Sequence, residues 1–137
     1  MRGTVTESVD RERFEDLVRR ALAELPPEIA QRIENVDVLV EEWPTREQLA
    51  SGRVPAGSTL LGLYQGVPLT KRTHGYNMIA PDRITIFQRP LERLARDEED
   101  LVRRVRDTVV HEVAHHFGIS DPRLREIERE KRRRRES

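Results

Sequence analysis

The chain has 137 residues, enough for one domain with a modest core and not for two independent ones. Lys plus Arg and Asp plus Glu number 25 each, so the formal net charge is zero and no global field argues for nucleic acid or an anionic membrane as partner. Cysteine is absent, which excludes disulfides and thiolate chemistry and leaves His, Asp and Glu to hold any metal.

Charged residues make up 36% and aromatics only 4%, so the core must be aliphatic. Met1 to Asp10 contain no apolar stretch of the signal-peptide kind, and nothing approaches the roughly 18 apolar residues of a membrane span. The expectation is a soluble, cytoplasmic protein.

Phe14, Leu17, Val18, Ala21, Leu22 and Leu25 recur at helical spacing, which predicts an amphipathic helix over 10–25, capped by Ser8 or Asp10 and ended by Pro26-Pro27. The proline pair opens a second short helix with Ile29, Ala30 and Ile33 inward. Residues 36–40 read as a strand, and Thr45 with Gln48 have the spacing of a capping box before Gly52. Residues 59–65 and 83–88 are two further strands, with Ile84 and Ile86 on one face. The stretch Gly66–Asp82 between them is long for a hairpin loop, a length that usually serves function.

Pro90 opens a helical turn, and Asp97-Glu98-Glu99-Asp100 place acid where a helix N-terminus favours it. From Leu101, the positions Val102, Val105, Val109, Val113 and Phe117 predict a helix over 101–117 with one buried face, stopped by Gly118. Pro122 starts a last helix that ends in a frayed basic tail at 131–137. No repeat or linker divides the chain, so the reading is a single α+β domain over 1–137.

The chemistry sits on the helix before Gly118. His111 and His115 are four residues apart, so their side chains stack on one face about 6 Å apart along the axis and can share one ion. Glu112 lies about 100° round from His111 and about 60° from His115, where its carboxylate flanks the ion and reaches a water on it without coordinating. Two ligands do not hold zinc well. Gly118 lets the chain double back, and Asp121 follows three residues later. The full string is His111-Glu112-x-x-His115-x-x-Gly118-x-x-Asp121.

This string resembles that of the zincin metallopeptidases, and of the small bacterial minimal zincins in particular. Leu61-Gly62-Leu63-Tyr64-Gln65-Gly66 and Pro81-Asp82-Arg83-Ile84-Thr85-Ile86 extend the likeness, which covers roughly residues 35–122. The resemblance implies a small mixed sheet packed on helices that include the active-site helix. It also implies His111, His115 and Asp121 as ligands of one Zn²⁺ per chain, Glu112 as general base, and a peptide or unfolded protein as substrate. Glu126 ranks a distant second to Asp121 as third ligand. None of the 16 residues after Asp121 is methionine, so neither the Met-turn nor the second lobe of larger zincins is expected here.

Other residues carry weaker signals. His116 points about 100° away from His115, which suits a supporting or surface role. Tyr64, Tyr76 and Arg123 are candidates to stabilise an oxyanion, and His74 lies in the long loop. The run Lys131–Arg135 suits a cationic helix end better than a nucleic-acid arm. The rival to an enzyme is a metal-containing binding or regulatory module without turnover. Glu112 speaks against that rival, because a purely structural zinc site needs no base.

Overall fold

A computed structural model of the chain describes residues 9–52, 59–66 and 81–136. The first helix, α1 (Arg11–Ala23), is capped by Asp10, whose side chain accepts from the Arg13 N–H. It buries Phe14, Leu17, Val18 and Ala21, the positions that the periodicity selected. After α2 (Pro27–Arg32) come strand β1 (Asp37–Glu41) and α3 (Arg46–Ser51). The capping box at α3 forms in full, Thr45 and Gln48 each bonding the other's backbone N–H.

Strands β2 (Gly62–Gln65) and β3 (Arg83–Phe87) complete a three-stranded mixed sheet of order β1-β3-β2. β1 runs parallel to β3, and β2 antiparallel to it. The last bond of that antiparallel pair is Phe87 N–H to the Leu61 carbonyl at 3.0 Å. β2 therefore starts at Gly62 and not at Thr59 as expected, because beyond Phe87 the chain turns into α4 (Gln88–Leu94) and offers Leu60 no partner. That helix begins two residues before Pro90. The proline stands in its first turn, where a missing N–H costs no helical bond.

The long helix α5 (Glu98–Phe117) runs under the sheet and against α1, α2 and α4. It starts three residues earlier than its apolar pattern suggested, since Asp97 caps it by accepting from the Asp100 N–H. Leu101, Val105, Val109 and Val113 are buried against Phe14, Leu17, Ile84 and Ile86, which is the aliphatic core the composition called for. Thr85 and Phe87, on the other face of β3, are buried as well, so the central strand is covered on both sides.

Gly118 ends α5 in the left-handed region (φ 70°, ψ 30°), and Ile119 N–H closes the end on the Ala114 carbonyl at 2.8 Å. The chain reverses into α6 (Asp121–Glu136), whose N-terminus Ser120 caps through a bond from the Arg123 N–H. α6 docks by Leu124 and Ile127 and continues through Glu136, so the basic run Lys131–Arg135 forms its C-terminal end. Among the described residues no helix is long and apolar enough to cross a membrane.

Candidate metal centre

α5 delivers His111, Glu112 and His115 to one place, each for a reason set by helix geometry. Both histidines lie on the exposed flank, opposite the buried stripe Val105, Val109 and Val113. His111 Nδ1 lies 2.8 Å from the Asp107 carbonyl oxygen one turn back. A carbonyl only accepts, so Nδ1 carries the proton and Nε2 keeps its lone pair for a metal. This bond fixes both tautomer and ring, the usual preparation of a ligating imidazole.

Glu112 turns the other way, toward the sheet, and is half-buried. Its Oε1 accepts from the Tyr64 backbone N–H at 3.0 Å. Burial pushes its carboxyl above the ordinary glutamate range. The Tyr64 N–H and the two neighbouring imidazoles act in the opposite direction but do not cancel the effect. A carboxylate with a raised proton affinity suits a proton acceptor better than a structural anion.

β2 comes this close because residue 62 is glycine: a Cβ there would stand 2.6 Å from Thr108 Cγ2 on α5. Leu61 bonds Phe87 across the sheet, and in an antiparallel ladder the alternate residues face outward. Gly62 and Tyr64 thus direct their main-chain groups away from β3, over Glu112. A cavity of about 350 Å³ opens there, lined by Leu60, Leu61, Gly62, Thr108, His111 and Glu112. Another, of about 330 Å³, lies on the far flank of His111 between α5 and α6, beside Arg106, Glu128 and Lys131.

Asp121 does not join the histidines. It occupies the first turn of α6, exposed, where a carboxylate complements the helix dipole. Among the described residues no three His, Asp or Glu side chains converge closely enough to hold an ion. The donors that α5 offers to a metal are its two imidazoles, four residues apart, with the tautomer of His111 fixed by the Asp107 carbonyl. His74 and Tyr76 lie outside the described residues.

Two candidate oxyanion donors have other partners. Tyr64 Oη donates to Asp82 Oδ2 at 2.8 Å, and Arg123 bonds Glu28 and Glu126, each at 2.6 Å. The sequence reading gave His116 no definite task. Its ring stacks on Tyr64 with centroids 3.9 Å apart and 24° between planes, and Phe117 meets both edge-on.

The family profile described as zincin-like metallopeptidase matches residues 33–131, a span that contains the sheet, α5 and Asp121. The chain belongs to this family. None of the curated proteins matches it. Among solved structures it is similar to a conserved hypothetical protein of T. thermophilus, at 23% identity and a TM-score of 0.50 over 80% of this chain and 94% of that one. At that identity the likeness speaks for the fold, and it agrees with a small α+β domain.

Proposed function

We propose that the chain is a cytoplasmic zinc-dependent peptidase that cleaves extended peptides or unfolded segments. In this reading one zinc ion is held by His111 and His115 and recruits Asp121 from the first turn of α6 as third ligand, and Glu112 is the general base. The observation that supports this most is the pairing on α5 of a histidine with its Nε2 left open and a half-buried glutamate with raised proton affinity. What zinc supplies when bound is a Lewis acid that polarises a carbonyl and acidifies water. Glu112 takes the proton of the attacking water and returns it to the departing amine. The outward main-chain groups of Gly62, beside the cavity, suit an extended peptide that adds to the β2 edge. Neither nucleic acid nor membrane has a place in this reading.

A second reading, a metal-containing binding or regulatory module without turnover, draws on the failure of Asp121 to converge with the histidines. The two separate when chelator-stripped protein, reloaded with zinc, is offered unfolded casein and a mixed peptide library. The peptidase reading expects cleavage only after reloading. Tight binding of one zinc with no cleavage of either substrate would favour the module.

A further inference from the structure

Tyr64 serves the site in two ways. Its backbone N–H holds one oxygen of Glu112, and its ring is fixed at both ends. The hydroxyl bonds Asp82, which immediately precedes β3 and stands two residues before Ile84, the residue that Tyr64 faces across the ladder. The ring face lies on His116, one turn of α5 beyond Glu112. Gly66, just past β2, packs against the same imidazole: a Cβ there would stand 3.2 Å from His116 Cε1. The edge strand is thus tied to α5 on either side of the N–H that holds Glu112, at Gly62–Thr108 and at Tyr64–His116.

Resting on the reading of Glu112 as general base, we propose that Tyr64 is its positioning residue, with its ring clamped between Asp82 and His116 so that its N–H aims the Glu112 carboxylate. A half-buried glutamate without a fixed donor still has more than one rotamer open to it, some of them toward the imidazoles beside it. A donor built into a strand removes that freedom. It engages one carboxylate oxygen and leaves the other for a proton. The donor is main-chain, so its aim is only as good as the placement of β2, and the clamp sets that placement. His116 acts here through its ring face and not as a metal ligand.

The test uses the full-length, metal-free chain and the exchange rate of the Tyr64 amide hydrogen by NMR. This amide faces away from β3, so ladder pairing does not protect it. Glu112→Ala should speed its exchange by about tenfold or more, while Glu112→Gln, which keeps an acceptor, should not. Tyr64→Ala keeps the N–H but frees the strand, and should lose most of the protection; Tyr64→Phe, which keeps the ring and gives up the hydroxyl with its Asp82 bond, should lose part. On the zinc-loaded protein, Tyr64→Ala should lower kcat about tenfold or more with KM and zinc affinity unchanged, and Tyr64→Phe should fall between. A merely structural tyrosine would lower the melting temperature and leave kcat per folded molecule alone. Exchange at that amide that is the same in wild type and Glu112→Ala would overturn the proposal. The exchange experiment involves no turnover, so failure of the clamp is distinguishable from failure of the peptidase reading.

Discussion

At one end of α5 Asp100 is nearly inaccessible, and its carboxylate accepts from the Arg96 N–H at 2.9 Å, from Arg104 Nε at 3.0 Å and from the Arg103 guanidinium. At the other end Glu112 is half-buried with one main-chain donor on Oε1. The Arg96 N–H above all, with Arg104 and Arg103, outweighs burial and holds the Asp100 carboxyl down at about 2. Burial prevails at Glu112, whose carboxyl is raised. One helix thus carries a carboxylate whose charge is saturated, and which fixes structure, and another whose charge is undersatisfied, and which is suited to exchange a proton.

The widest separation between the two ends should appear in metal binding. His111→Ala or His115→Ala should weaken zinc by more than about a hundredfold in a competition titration with a chromogenic chelator. Asp100→Asn should leave that affinity unchanged. Asp100→Asn should instead cost about 1–3 kcal/mol in urea unfolding, because the guanidinium and N–H donors that converge on this buried carboxylate lose a charged partner. Wild-type affinity for Asp121→Ala together with lost affinity for Glu126→Ala would transfer the third ligand to Glu126. The expected result is a loss of about tenfold for Asp121→Ala and none for Glu126→Ala.

Acid sharpens the contrast. The folded Asp100 carboxyl, near 2, lies below its ordinary 3.8, so its contribution is complete above about pH 4 and disappears as pH falls through 2. Wild-type stability should decline over that window, and Asp100→Asn should flatten the decline. Glu112 has the opposite sign: its raised carboxyl makes the charged form a cost at neutral pH. Metal-free Glu112→Gln should therefore melt at or slightly above the wild-type temperature, by less than about 1 kcal/mol in stability. A clear loss of stability in that variant would make Glu112 a structural group like Asp100.

Local signals in the sequence carried α5. The 3.6-residue pattern, the i, i+4 histidines and a glycine stop are all short-range, and α5 formed as they required. The Asp10 cap and the Thr45–Gln48 capping box were legible for the same reason. Asp100 was legible only in part. It was read as one of four acids facing a helix dipole, whereas Asp97 is the cap and Asp100 is buried under two arginines. Its spacing to Arg103 and Arg104, three and four residues, was the available signal. The contact between Glu112 and Tyr64 could not be read, because it joins residues 48 apart in sequence and depends on which strand forms the sheet edge. His116 was hidden for the same reason: its role is set by the ring that the edge strand lays on it.

The central claim, that Glu112 is there to move a proton, is tested most directly by Glu112→Gln in the zinc-loaded protein. Glutamine keeps the length and the acceptor for the Tyr64 N–H but takes no proton. Hydrolysis of the casein or peptide substrate should fall by about 10²–10⁴-fold, with one zinc still bound and the melting curve not lowered. Zinc-dependent hydrolysis at the wild-type rate in Glu112→Gln would contradict it.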